Sequence, residues 1–223
     1  MIEPRPVLKS ATVDAVAARP SNYRSDARRN NRQLWNVTAM KKNVLFLQGG
    51  GEGAYEYDEK LAESLQAALG AGYAVRYPRM PNEDSPDYEA WTARLAEEIA
   101  SLGGDVILVA HSVGATILIT SLAQGGYAAK IPGVFLVAAP FVGEGGWPSE
   151  DMELESMEQL GAKLAGDVPI YLYQGGEDET VPPVHAELYA KAIPQAQVRR
   201  LDRSDHQLNN DMSAVAADIR RLG

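Results

Sequence analysis

Residues 106–119, VILVAHSVGATILI, begin as a branched apolar run, break at His111-Ser112-Val113-Gly114 and resume as an apolar stretch of helical length. The first part suits a buried strand and the last part a buried helix. A serine at such a bend has two readings. Its hydroxyl can cap the helix, or it can be a nucleophile lifted onto a strained strand-to-helix elbow with its Oγ exposed at the end of a sheet. The stretch alone does not separate them; partners further along the chain do.

Outward from this stretch the pattern alternates. Short apolar runs at 43–48, 73–78, 105–110, 133–139, 168–174 and 196–201 read as strands. Between them lie amphipathic stretches, with Leu61, Leu65 and Leu69 on one helical face and Trp91, Leu95, Ile99 and Leu102 on another. Apolar strands alternating with such helices predict an α/β chain with a doubly wound, mainly parallel sheet of about six strands, covered on both faces. Ligands then bind beyond the carboxyl ends of the strands, so the post-strand loops are the places to search. One connection, 141–160, is a long lid-like excursion carrying Glu144, Glu150, Asp151, Glu153, Glu155, Glu158 and Trp147. Either its acids disfavour anionic substrates while Trp147 offers apolar contact, or they solvate an outer helix face.

Composition narrows the chemistry. The 223 residues suit one domain, here 41–223, preceded by a basic extension at 1–40. That extension carries seven Lys and Arg against three Asp and Glu, leaving the other 183 residues at −13. An acidic body argues against a nucleic-acid partner. The extension reads as a targeting segment, a nucleic-acid arm or, preferably, a dispensable appendage, since Met40 precedes the first strand. Neither a membrane-length apolar run nor a secretory signal is visible, so the expected setting is cytoplasmic, without a membrane partner. Cysteine is absent and there are three histidines, His111, His185 and His206. Thiolate nucleophiles are excluded, and a metal centre is not expected.

Three post-strand loops carry the groups that nucleophilic catalysis needs. Ser112 follows the third strand, Asp178 lies in QGGEDETVPP after the fifth, and His206 lies in DRSDHQL after the sixth. The chain order Ser, acid, His is that of α/β-hydrolases. A serine hydroxyl needs an imidazole to remove its proton, and the imidazole needs a carboxylate to hold its tautomer. The register Gly-x-x-Asp-x-x-Val-Pro selects Asp178 over Glu177 and Glu179, while Asp202 and Asp205 are too close in sequence to His206 to orient it. The glycines of LQGGGEGAY, residues 47–55, can approach a substrate closely. Val113 N–H, with a second N–H from Gly50 or Gly51, would form an oxyanion hole. Gly49, Gly51, His111 and Trp147 are the candidate substrate contacts, with His111 expected first of all to pack or hydrogen-bond beside the nucleophile, and His185 is expected to be solvated.

A rival exists. Gly49 to Ala54 also fits G-x-G-x-x-A, the dinucleotide fingerprint of a reductase. That reading wants an acid at the end of the second strand, where the chain instead has Arg76 and Arg79; these could accept a phosphorylated ribose.

The segments LQGGG, MPNEDSPDYEAW, AHSVGA, the Gly-x-x-Asp loop and DHQLN together resemble the small α/β-hydrolase-fold serine hydrolases of the retinoblastoma-binding protein nine type. The resemblance runs from about residue 43 to the C-terminus. It implies an α/β-hydrolase fold with a minimal lid, first and third strands side by side, no cofactor, and hydrolysis of a small-molecule ester or other acyl substrate. Ala110 replaces the first glycine of the usual elbow, and Gln48 stands where many such hydrolases have histidine. Members of the family are also discussed as binding proteins, so an interaction protein with little turnover is the alternative.

Overall fold

The computed structural model describes residues 41–148 and 157–222. The basic extension at 1–40 and most of the acidic part of the excursion, from Glu150 to Glu155, lie outside the described residues. Strands β1 (Lys42–Leu47), β2 (Tyr73–Arg76), β3 (Val106–His111), β4 (Val134–Val137), β5 (Ile170–Gly175) and β6 (Gln197–Leu201) form one sheet in the order β2-β1-β3-β4-β5-β6. Every pairing is parallel. β1 and β3 lie side by side, as the resemblance implies, with Leu45 opposite Leu108.

Strand alternation divides the core between the two faces. Leu45, Leu47, Leu108, Ala110 and Leu136 pack with helices α2 (Tyr88–Leu102), α3 (Ser112–Gln124), α4 (Leu160–Lys163) and α5 (Val184–Ala192). Val44, Phe46, Ile107, Val109, Phe135 and Val137 pack with α1 (Ala54–Leu69) and α6 (Ser213–Arg220). The leucine stripe of α1 and the Trp91, Leu95, Ile99 face of α2 are buried there. In α3 every residue from Gly114 to Ser121 is buried, which is why it lacks a polar face.

Two strands end two residues before the runs read from the sequence. The fourth strand ends at Val137 because Ala138 takes φ 49° and turns the chain out of the sheet. The second ends at Arg76, which pairs with Glu98 of α2 at 2.8 Å. Arg79 pairs with Glu56 and Glu83, so both arginines of the dinucleotide reading lie on carboxylates. Among the described residues no helix is long and apolar enough to cross a membrane.

Candidate active site

The bend that opened the sequence question is a tight elbow. β3 ends at His111 and α3 begins at Ser112, whose φ is 49°. For a residue with a side chain the left-handed region costs about 1–3 kcal/mol, and it persists only where surrounding packing enforces it. The enforcement here comes from a fully buried strand running into a buried helix. Gly114 lets α3 pass under the end of β1: a Cβ there would lie 2.0 Å from the Gln48 carbonyl oxygen. Ala110, in the place of the usual first glycine, is buried in β3 without distortion of the strand.

Ser112 does not cap the helix with its side chain. Its Oγ lies 3.1 Å from His206 Nε2, and His206 Nδ1 lies 2.9 Å from Asp178 Oδ2. Asp178 is held by its own loop, accepting at Oδ1 from the N–H groups of Thr180 at 2.9 Å and Val181 at 2.8 Å, and at Oδ2 from Gln174 Nε2 at 3.0 Å. Burial works to raise its pKa, but the bonds from His206 and these N–H groups outweigh burial and hold the carboxyl below its ordinary range. Glu177 and Glu179 are exposed. Asp205 stays in its own turn, accepting from Asn209 N–H at 2.7 Å. The acid and histidine loops meet backbone to backbone at Gly175, where a Cβ would lie 2.3 Å from the Ser204 carbonyl oxygen.

The glycine loop after β1 is pinned from both sides. Gly49 N–H donates to Asp58 Oδ2 at 2.6 Å, and Gly51 N–H donates to the Glu83 carbonyl at 2.6 Å. Gly51 is therefore not a free donor, and of the two alternatives for the second oxyanion N–H only Gly50 is left. The N–H groups of Gly50 and Val113 donate to no group among the described residues. These two residues are adjacent, since a Cβ on Gly50 would lie 3.3 Å from Val113 Cβ. The segment MPNEDSPDYEAW supplies the outer support: Glu83 Oε2 accepts from Gln48 Nε2 at 2.6 Å and Tyr55 N–H at 3.0 Å, and Gln48 Oε1 accepts from Met80 N–H at 3.0 Å. Gln48 thus ties the glycine loop to the segment after β2.

Ser112, His206, Val113 and the glycine loop open onto a cleft of about 200 Å³, completed by Tyr57, Trp147, Thr180 and Gln207. Trp147 reaches it through a tight turn in which Trp147 N–H donates to the Phe141 carbonyl at 2.8 Å. His111 lines the cleft but packs and hydrogen-bonds beside the nucleophile, and its ring does not serve as the substrate contact that was the alternative. It is buried, with Nδ1 2.8 Å from Asp58 Oδ2 and Nε2 3.0 Å from the His206 main-chain oxygen, so neither ring nitrogen is free for a ligand. His185 is likewise not solvated: it is buried, and its Nδ1 accepts from Phe141 N–H at 2.9 Å. Burial lowers its pKa and keeps it neutral.

Asp58 went unnoticed in the sequence. Its signal was there: positions 58, 61, 62, 65 and 69 share the buried face of α1, and an acid on an apolar stripe needs a partner. Burial raises the Asp58 pKa, and His111, Gly49 N–H and Gln207 more than offset it, so the carboxyl stays below its usual range. Burial likewise works against charge on His111, and Asp58 outweighs it, raising that pKa.

A parallel sheet in this order, a serine on a left-handed elbow and an acid and a histidine on later loops define an α/β-hydrolase fold. The family model for serine hydrolases matches residues 60–213, and the chain belongs to that family. The match takes in Ser112, Asp178 and His206. Solved structures agree on the fold. The ydeN gene product from B. subtilis is 20% identical, with a TM-score of 0.64 over 82% of this chain and 98% of its own. Est1E from Butyrivibrio proteoclasticus is 13% identical, with a TM-score of 0.63 over 84% and 90%. The esterase EaEST from Exiguobacterium antarcticum is 15% identical, with a TM-score of 0.61 over 82% and 92%. A comparison with curated proteins found no match.

Proposed function

We propose that the protein hydrolyses carboxylic esters of small acyl groups through an acyl-enzyme, with Ser112 as nucleophile, His206 as general base and acid, and Asp178 as the carboxylate that orients His206. The observation that carries this reading is the continuous hydrogen-bonded chain from Ser112 Oγ through His206 to Asp178 on a strained elbow. As Ser112 Oγ attacks the carbonyl carbon, its proton passes to His206 Nε2. The imidazolium so formed is stabilised by Asp178, which remains ionised. The carbonyl oxygen becomes an oxyanion facing the N–H groups of Gly50 and Val113, the latter at the positive end of α3. Collapse expels the alcohol, which takes the proton from His206. Water then repeats the sequence to release the acid and regenerate Ser112.

Thioesters and amides share this chemistry, and the esterase names among the structural neighbours favour oxygen esters. The two aromatic side chains at the cleft, Tyr57 and Trp147, suit an apolar acyl or alcohol group. The test is labelling by a fluorophosphonate together with turnover of p-nitrophenyl acetate and butyrate. Labelling and turnover that vanish in Ser112→Ala are expected. A wild-type protein that neither labels nor turns over any ester would favour the binding-protein alternative.

A further inference from the structure

Beneath the proposed triad lies a second histidine–carboxylate pair that the hydrolytic reaction does not use. His111 Nδ1 faces Asp58 Oδ2 at 2.8 Å, and His111 Nε2 faces the main-chain oxygen of His206 at 3.0 Å. An ionised carboxylate and a backbone carbonyl are both acceptors only. A neutral imidazole has one N–H and can satisfy one of them. Both contacts are hydrogen bonds only if His111 carries a proton on each nitrogen. The same carboxylate also accepts from Gly49 N–H at 2.6 Å and from Gln207 Nε2 at 3.0 Å.

We propose that Asp58 and His111 form a permanent buried ion pair that positions the active site, the doubly protonated His111 holding His206 by its main-chain carbonyl while Asp58 holds the glycine loop through Gly49. This inference rests on the hydrolase reading for its consequence; the two His111 contacts require two protons, and Asp58, which already accepts from Gly49 N–H and Gln207 Nε2, is the partner left ionised. Asp58 and His111 are positioning residues. They join three separate loops at one carboxylate: the glycine loop after β1, the elbow after β3 and the histidine loop after β6. Gly49 N–H is fixed one residue before Gly50, and the His206 carbonyl is fixed on the residue whose ring addresses Ser112.

The setting supports a persistent charge. The pair is sealed from water, with side-chain exposures of 2% for His111 and 1% for Asp58. The other ionisable groups facing it are His206 and Asp178, on the loops after β6 and β5, and Tyr77 beyond the end of β2. Asp178 adds a second negative charge favouring the cation. Burial, and then the Asp58 charge, push the Tyr77 hydroxyl well above its ordinary range, so it stays neutral.

The experiment is ¹⁵N NMR of histidine side chains in the full chain, with assignments from His111→Gln, combined with steady-state kinetics. At pH 7.5, about one unit above the ordinary imidazole value, His111 is expected to show two protonated ring nitrogens, while in Asp58→Asn it shows one. Folded Asp58→Asn and His111→Gln are expected to lose roughly 10- to 100-fold in kcat, because misplaced groups forfeit near-attack geometry. KM should stay within about 2-fold, since the side chains of Asp58 and His111 are almost fully buried in the cleft floor and their polar atoms bond to protein groups. An unprotonated ring nitrogen on His111 in the wild-type protein overturns the proposal, as does a folded Asp58→Asn with wild-type kcat. If Asp58→Asn does not fold, the wild-type spectrum and His111→Gln decide. Turnover that survives Ser112→Ala would sink the hydrolase reading instead, and leaves the NMR result as an independent test of the ion pair.

Discussion

Two histidine–carboxylate pairs sit with their imidazole rings 4.7 Å apart, and they are built for opposite behaviour. Asp178–His206 keeps its histidine partly open, with 18% of the side chain exposed, and aims Nε2 at a hydroxyl. A hydroxyl can give a proton or accept one, so this pair can exchange one with Ser112. Asp58–His111 is sealed and aims Nε2 at a carbonyl, which can only accept. This pair holds its proton and conveys position. The same two residue types therefore do two jobs, decided by what faces the second ring nitrogen and by access to water.

The largest test of this contrast removes the exchanging pair. Ser112→Ala or His206→Ala is expected to lower kcat for p-nitrophenyl butyrate by about 10⁴-fold or more, with the double variant little worse than either, because the residues act as a unit. Additive losses in the double variant would break the proposed triad. Next comes the sealed pair, where Asp58→Asn is expected to cost about 3–5 kcal/mol of stability by breaking a buried ion pair, alongside its smaller loss of kcat. Thermal unfolding monitored by circular dichroism reads this out.

The pH dependence of that stability gap sharpens the comparison further. Asp58 has a lowered folded pKa, so its contribution is complete above its ordinary value of 3.8 and lost as pH falls toward the folded one. His111 has a raised folded pKa, so its contribution is complete below its ordinary 6.5 and lost as pH rises through the folded one. The difference in Tm between wild type and Asp58→Asn is expected to be widest at about pH 5–6 and to narrow above pH 6.5. A gap that widens with rising pH would contradict a charged His111. The smallest effect is expected from the acids that merely neighbour the site. Glu179→Gln and Asp205→Asn should each stay within about 0.5 kcal/mol of wild type in stability, with kcat unchanged, since Glu179 is exposed and Asp205 bonds only within its own turn. A large loss in either would mean that Asp178 is not the only acid acting on His206.

Strand and helix periodicity alone announced the alternating parallel architecture, and the order of Ser112, Asp178 and His206 on successive post-strand loops announced which side chains would meet. Both are local signals: the period of burial is written into each segment, and Gly-x-x-Asp-x-x-Val-Pro sets its own turn. What only the tertiary structure decided is how neighbouring polar groups divide their hydrogen bonds. Gly49, Gly50 and Gly51 are identical in sequence. Asp58 engages the first N–H, the Glu83 carbonyl engages the third, and Gly50 is left free because residues 9 and 32 positions away fold back onto its neighbours. The partners of His111 and the burial of His185 are hidden from the sequence for the same reason. Their surroundings come from α1, the histidine loop and the turn at Phe141, distant in the chain, and no period or spacing carries the partner of a buried ring.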